Sequence, residues 1–369
     1  IDHAIWRYIM KISLPFFMKY AHESYISGLE MIGMPLDQVP KVDEIDNNLD
    51  AYKWGAATVK GFIPPTIFME FLSRRVLPIA VDIRTLEHIA YTPAPDIIHE
   101  AAGHAPIIAN NDYADYLCAY GEVSKKAIQS KQDSELYKII RKMSDMKEDP
   151  NTDKAELKKI EIQLEEKSSE NRWTSEANEL ARMNWWTIEY GLIGNLKNPK
   201  IYGAGLLSSV SESLECLDKK VKKIPLSIEC IRQDYNITEP QPQLYVADNF
   251  KDLKKILDDY SKTMAFNTGG KEGIKKAIQS ENVTTAVYDS GLQISGTIKN
   301  YISDNNGEIT YLHYDKHVQL CYNDTEIPSH GIEYHSEGYG AVIGRLSDFG
   351  KPIHQLNKNQ LSSLGIENN

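Results

Sequence analysis

Two histidines flanking a glutamate, His99, Glu100 and His104, stand in the stretch Pro95-Asp96-Ile97-Ile98-His99-Glu100-Ala101-Ala102-Gly103-His104-Ala105-Pro106. Imidazole nitrogens and carboxylate oxygens are the usual ligands of catalytic transition metals. A zinc-protease helix sets its histidines four residues apart, so that both lie on one face with the glutamate between them as base. Here the spacing is five. On a straight α-helix five steps turn about 140°, so both rings reach one ion only where the backbone bends or ends near Gly103, which the glycine and Pro106 permit. Two histidines and one carboxylate on one face of an octahedron leave three positions open, as non-haem iron(II) requires to bind dioxygen and a reductant together. Glu189 is the best candidate for the carboxylate, because it stands in the nearly uncharged run Trp185-Trp186-Thr187-Ile188-Glu189-Tyr190-Gly191-Leu192. A buried carboxylate among indoles is costly without a partner, and a metal would compensate it. Taken singly, Glu189 also reads as a hydrogen-bonded or surface glutamate, and the histidine pair as core or surface residues. Two other readings stay open: a zinc hydrolase using His99, Glu100 and His104, and a non-catalytic scaffold that binds an amino acid.

The elements that must position these residues are mostly helical. From Ile1 to about Leu36, Ile5, Tyr8, Ile9 and Ile12, then Tyr25, Leu29 and Ile32, recur at helical spacing, and Gly33 and Pro35 stop the run. Prolines 64, 65, 78, 93 and 95 break Ala56–Ala102 into short helices, one brief strand and structured loops. Between Ser124 and Arg182, Leu136, Ile139, Ile140 and Met143, then Leu157, Ile160 and Leu164, predict two amphipathic helices folded as a hairpin about Asp149-Pro150-Asn151, their charges forming solvated faces. A further helix is expected over Leu206–Leu217, with helices dominating to about Phe266. Beyond Asn282, β-favouring runs at Thr284–Tyr288 and Val318–Tyr322, with turns at Asp289-Ser290-Gly291 and Asn305-Asn306-Gly307, predict a small β-rich module.

Composition narrows the partners. With 369 residues, 41% hydrophobic and 25% charged, the chain is long enough for a large core and a smaller appended unit. A net charge of −11 argues against general binding to a phosphate backbone and leaves small molecules as the expected partners. No apolar run reaches the roughly 18 residues of a membrane span. Cys118, Cys216, Cys230 and Cys321 lie far apart, with no CxxC pair and no secretory segment ahead of them, so a reducing cytoplasm is expected. The chain opens at Ile1 rather than Met, as a trimmed chain or a piece of something longer would. Oligomeric state is not legible.

The run from Tyr91-Thr92-Pro93 through His99 to Pro106 resembles the signature of the pterin-dependent aromatic amino acid hydroxylases. So do Thr187-Ile188-Glu189-Tyr190-Gly191-Leu192 and Tyr202-Gly203-Ala204-Gly205-Leu206-Leu207-Ser208-Ser209. Weaker likeness at Asp2-His3, Trp6, Gly28-Leu29, Val59-Lys60-Gly61-Phe62-Ile63-Pro64 and Phe68 extends it over about residues 1–265. The resemblance implies a mainly α hydroxylase catalytic fold over 1–275, interrupted by the helical hairpin at about 124–182 and followed by the β-rich module at 282–369. It implies a monooxygenase that hydroxylates the ring of a free aromatic amino acid with iron(II), dioxygen and a tetrahydropterin such as tetrahydrobiopterin. Phenylalanine, giving tyrosine, is the expected substrate, because Trp185 stands where tryptophan-using members carry a smaller aromatic.

Residue by residue, the resemblance implies that His99, His104 and Glu189 bind the iron. On the substrate side it places Arg84 on the amino acid's carboxylate and Thr92 near its amino-acid end. Pro95 and Trp185 would be flat surfaces around its ring, and Ser208 would hydrogen-bond a ligating histidine. For the pterin it implies stacking on Phe68, an apolar or backbone contact from Ile63, and a water-mediated contact from Glu100. Read alone, Arg84 would be a surface salt bridge, and Ile63 and Phe68 core packing. Three departures stand out. The stretch between His104 and Glu189 is longer than the family's by about the hairpin. Pro78 and Asn184 replace a histidine and an aromatic. Neither the regulatory domain nor the tetramerising helix of animal members is recognisable.

Overall fold

The computed structural model describes residues 1–61, 63–89, 95–148, 152–170, 173–236, 240–346 and 348–366, and divides into two compact units. The first comprises Ile1–Ala127 and Gln132–Thr263. Its amino-terminal helices α1 (Asp2–Tyr20) and α2 (Glu23–Met31) follow the apolar periodicity of the sequence, burying Ile5, Trp6, Ile9, Phe17, Tyr25 and Leu29. Gly33 ends the run at φ +62°, a left-handed conformation that glycine adopts without a Cβ clash. After α3 (Val42–Leu49), strand β1 (Gly55–Val59) pairs in parallel with β2 (Val76–Ala80) across α4 (Pro65–Ser73). Sequence patterning predicted one strand here. Pro78 sits in the second because a two-stranded sheet leaves each strand an open edge, where a missing N–H costs no ladder bond.

Helix α5 (Asn111–Ser124) is capped by Asn110, whose side chain accepts the Tyr113 N–H, and supplies Tyr113, Tyr116 and Tyr120 to the core. Tyr113 packs edge to face on Tyr202 and Phe250, rings 5.9 and 5.5 Å apart, in geometry that aromatic quadrupoles favour. Helices α6 (Lys131–Glu148) and α7 (Lys154–Ser169) share a small apolar cluster of Ile139, Met143 and Ile160, flanked by Leu157 and Leu164. The bend at 149–151 lies outside the described residues.

Helix α8 (Glu176–Asn184) leads towards Glu189. Beyond it, strands β3 (Leu192–Ile193), β4 (Lys200–Ile201), β5 (Lys222–Pro225) and β6 (Gln243–Ala247) form a sheet in the order β4-β3-β6-β5. Helices dominate this stretch as expected, and the four strands add to that reading: strands of two to five residues are too short to show a period of two. The helix expected over Leu206–Leu217 is also two helices, α9 (Ala204–Ser208) and α10 (Val210–Glu215). Between them Ser209 is extended and turns its hydroxyl to the Glu212 N–H as a cap. Helix α11 (Phe250–Ser261) closes the unit.

The second unit comprises Ile128–Lys131 and Met264–Asn369. Helices α12 (Ala265–Thr268) and α13 (Gly270–Ser280) precede six strands: β7 (Val283–Val287), β8 (Leu292–Ser303), β9 (Ile309–Tyr314), β10 (Gln319–Tyr322), β11 (Thr325–Glu326) and β12 (Tyr339–Val342). The long β8 is central, pairing antiparallel with β7, β9 and β10. The expected boundary near 275–282 moves to 264, because Ala277, Ile274 and Ile278 of α13 pack on the sheet's core of Ile294, Leu312 and Tyr314. A short helix α14 (Lys358–Ser363) lies near the carboxyl end. Among the described residues no helix is long and apolar enough to cross a membrane.

Candidate metal centre

The five-residue spacing is resolved by winding rather than by a bend. Ile98–His104 is a π-helix, in which each N–H reaches back five residues; the Ala105 N–H donates to the Glu100 carbonyl at 3.2 Å. Positions i and i+5 therefore share a face. A second π-helix, Trp185–Glu189, carries the third candidate, its Tyr190 N–H reaching the Trp185 carbonyl at 2.8 Å. Thr187 favours this winding by donating its hydroxyl to the Met183 carbonyl at 2.6 Å, the acceptor its own N–H would use in an α-helix. Helix α9 lies tight against both turns. A Cβ on Gly203 would stand 2.4 Å from the Glu189 carbonyl oxygen, and one on Gly103 2.8 Å from that of Ala204.

This packing brings three candidate ligand side chains together. His99 Nε2 and His104 Nε2 are 3.1 Å apart, Glu189 Oε2 is 3.3 Å from the first, and Glu189 Oε1 is 3.5 Å from the second. Bonds of about 2.1 Å put neighbouring ligands of one ion about 3.0 Å apart in an octahedron and about 3.4 Å apart in a tetrahedron. The residues fit a metal for a further reason. Ser208 Oγ donates to the Ala204 carbonyl at 2.8 Å and so accepts from His99 Nδ1 at 3.0 Å, which turns the lone pair of His99 Nε2 towards His104. Two nitrogens facing each other beside a carboxylate call for a cation between them. Burial opposes ionisation of Glu189, but His104 and His99 together outweigh it and hold the carboxyl well below the usual range.

Glu100 is placed differently. Its Oε2 is 3.9 Å from His104 Nε2, is buried, and has no hydrogen-bond partner among the described residues. Burial, with Glu189 and Asp96 pushing the same way against His104, raises its carboxyl to about 8. His99, Glu100 and His104 do form a compact group, but Glu189 is the carboxylate that reaches both imidazoles.

Sequence reasoning missed Asp96. Its Oδ2 accepts from Arg84 N and Nε at 2.9 and 2.8 Å, and its Oδ1 from Arg84 Nη2 and His99 N at 2.8 and 3.0 Å. Arg84 Nη1 donates to the Ser208 carbonyl at 2.9 Å. An acidic residue three positions before His99, at the mouth of a helical turn, was the available signal. Arg84 is thus neither a surface salt bridge nor an open fork: its side chain is 0% exposed, Asp96 holds one edge, and two of its five N–H groups remain to donate.

Trp185 also departs from expectation. Tyr190 and Tyr235 stack on it with centroids 4.4 and 4.3 Å away and planes tilted 20° and 10°. Two rings that near and that parallel would overlap on one face, so they cover opposite faces. Trp185 therefore offers a ligand its edge and not the flat surface expected of it. Pro95 is exposed three residues before the first π-helix, Ile63 and Phe68 are half-buried before and on α4, and Thr92 lies outside the described residues.

The match to known proteins agrees with this geometry. The family of biopterin-dependent aromatic amino acid hydroxylases matches residues 1–140 and 161–270, more than half of the chain and all three candidate ligands. The chain belongs to that family. The phenylalanine-4-hydroxylase of Pseudomonas aeruginosa is 29% identical over 260 residues, covering 70% of this chain and 82% of that one. The Chromobacterium violaceum phenylalanine hydroxylase with bound iron(III) and 7,8-dihydrobiopterin superposes with a TM-score of 0.56 at 27% identity, over 71% of this chain and 80% of that one. The same enzyme with iron and phenylalanine bound gives 0.53 at 26% identity, over 70% and 81%. The hydroxylase fold thus covers the part of the chain that holds the centre.

Two expected results concern the supports of this centre. Ser208→Ala removes the acceptor that fixes the His99 tautomer and should weaken metal affinity by roughly 10–100-fold, read by titration of cobalt(II) absorbance; unchanged affinity would remove Ser208 from the site. Glu212 accepts the Tyr190 hydroxyl behind the Trp185 stack, and burial raises its carboxyl to about 7 despite that bond. Folded protein keeps this proton while unfolded chain loses it, so stability falls as pH rises from about 4.5 to 7. Glu212→Gln should gain on the order of 2–3 kcal/mol relative to the wild type between pH 5 and 8, measured by urea unfolding. A constant difference across that range would contradict it.

Proposed function

We propose that the chain hydroxylates the ring of free L-phenylalanine to L-tyrosine, using iron(II), dioxygen and a tetrahydropterin. The observation that carries this reading is the face formed by His99, His104 and Glu189, three donors 3.1 to 3.5 Å apart. Iron held there would supply the site at which dioxygen is activated with electrons from the pterin. The rest is the work of the chain. Ser208 fixes the His99 ring, and Asp96 fixes the backbone at His99. Arg84, held by Asp96 and 0% exposed here, would give its two remaining N–H groups to the substrate carboxylate once substrate entry uncovers its side chain, with Thr92 near the same end. The clamped edge of Trp185, together with Pro95, bounds the substrate ring, and its rigidity favours phenylalanine over the bulkier tryptophan. Phe68, Ile63 and Glu100 receive the pterin. Glu100, buried with its Oε2 unpartnered among the described residues and 3.9 Å from one imidazole, is poorly placed to be the base of a zinc hydrolase.

The test is anaerobic loading with iron(II), then tetrahydrobiopterin and oxygen with phenylalanine, tyrosine or tryptophan, and chromatography of the products. Tyrosine formed from phenylalanine in proportion to pterin consumed is expected. Pterin-independent hydrolysis, or no hydroxylated product from any of the three, defeats the reading.

We further propose that α6 and α7 are an insertion into the hydroxylase fold, since residues 141–160 fall outside the family match, and that the second unit is a separate β-rich module. A deletion of Leu136–Leu164 closed by a short glycine-rich link keeps Asp133, which accepts the Ser175 hydroxyl at 2.5 Å, and keeps Gln129 and Ser130, whose carbonyls accept from Asn282. Iron content per folded chain should stay at the wild-type level. Loss of iron from a variant with native circular dichroism would show that the hairpin supports the centre.

A further inference from the structure

A cavity of about 620 Å³ opens in the first unit, between the end of α1, the β3–β4 loop and the segment from α10 to β5, and none of the residues discussed at the metal centre lines it. Its charge runs against that of the chain. The whole sequence has 52 acidic and 41 basic residues, yet Lys197, Lys219, Lys222 and Lys223 line this cavity with Asp218 as the one acid. Elsewhere lysines sit on carboxylates, as Lys254 does on Asp258 and Lys275 on Glu272, both at 2.7 Å. Among the described residues, Lys197, Lys219 and Lys222 have no carboxylate within ion-pair distance. Lys223 gives two N–H groups to the carbonyls of Asp218 and Val221, at 2.7 and 2.9 Å, which pins its charge at the wall and leaves one donor over.

Apart from the amide of Asn198, the remaining wall is apolar and partly aromatic. Phe16 and Tyr20 lie 4.6 Å apart at a tilt of 39°, beside Leu217 and Val221. A volume in the range of small-molecule sites, an apolar wall and converging donors of one sign are the features of a ligand pocket. A bare anion would answer the lysines but leave the rings in water, and an uncharged arene would do the reverse. A free amino acid would bring its ammonium against four lysines.

We propose that this cavity is a second binding site, for a small aromatic anion without an amino group, its carboxylate or phosphate on Lys197, Lys219 and Lys222 and its ring against Phe16 and Tyr20. The full-length, iron-loaded chain is titrated calorimetrically with benzoate, phenyl phosphate, inorganic phosphate and benzyl alcohol, with and without saturating phenylalanine. Benzoate or phenyl phosphate should bind saturably, and which of the two binds tighter identifies the acid. Inorganic phosphate and benzyl alcohol should each bind at least about tenfold more weakly, because each lacks half of the match. The exposed double variant Lys197→Glu/Lys222→Glu should lose at least about tenfold in affinity for the tighter aromatic anion, while its melting temperature and iron content stay unchanged. Phenylalanine should not displace the probe. The proposal is overturned by absence of saturable binding at millimolar concentration, by insensitivity to the double variant, or by displacement with phenylalanine, which would put the probe in the substrate site.

Discussion

Asp96→Ala should destabilise the first unit by about 3–5 kcal/mol, the cost of leaving a buried charge without its partner. The Arg84 side chain is 0% exposed and gives Nε and Nη2 to this one carboxylate, so no water can replace the lost oxygens without opening the core. Urea unfolding should show the full loss with an unchanged slope. Replacing the pair together, as Arg84→Met with Asp96→Leu, should recover much of the stability, since a buried ion pair is often no better than apolar packing of similar volume. It should not recover hydroxylation, because the double variant has no donor for a carboxylate. If Asp96→Ala unfolds like the wild type, the Arg84–Asp96 contact is not the joint described above. The joint matters for chemistry because Asp96 also holds the His99 N–H and Arg84 also holds the Ser208 carbonyl. One network thus sets the metal ligand and the proposed substrate clamp together.

Glu189→Ala should lower iron(II) affinity by more than roughly 100-fold, beyond the range seen when a supporting residue is removed, because a ligand itself is lost. Iron per chain after desalting, and the visible spectrum of the cobalt(II) form, measure this without turnover. The comparison variant is Glu100→Gln, whose carboxylate lies 3.9 Å from His104 and which should keep its metal. If Glu100→Gln loses iron and Glu189→Ala retains it, the ligand assignment is reversed and the zinc-type grouping of His99, Glu100 and His104 regains its claim.

The residues of the centre were legible because chemistry restricts their types: two imidazoles and a carboxylate set in apolar runs have few other uses. Their geometry was less legible. A π-turn leaves no period of its own in seven residues, and its i+5 contact depends on packing by α9, which arrives from a hundred positions later. The role of Asp96 needed Arg84 and His99 in view at once. Trp185 looked open because its second cover, Tyr235, comes from a distant loop with no recognisable pattern. Amphipathic helices as long as α1, α6 and α7 were read from periodicity alone, whereas strands of two residues such as β3 and β4 exist only through pairing.

The π-winding at His99–His104 amounts to one residue accommodated in excess of an α-helix. Removing Ala102 would leave His99-Glu100-Ala101-Gly103-His104, the His-Glu-x-x-His order that an ordinary α-helix presents to zinc. The two metal-binding grammars are therefore separated here by a single codon. A deletion of that codon, scored for zinc against iron uptake, would measure how far helix register alone can choose the metal.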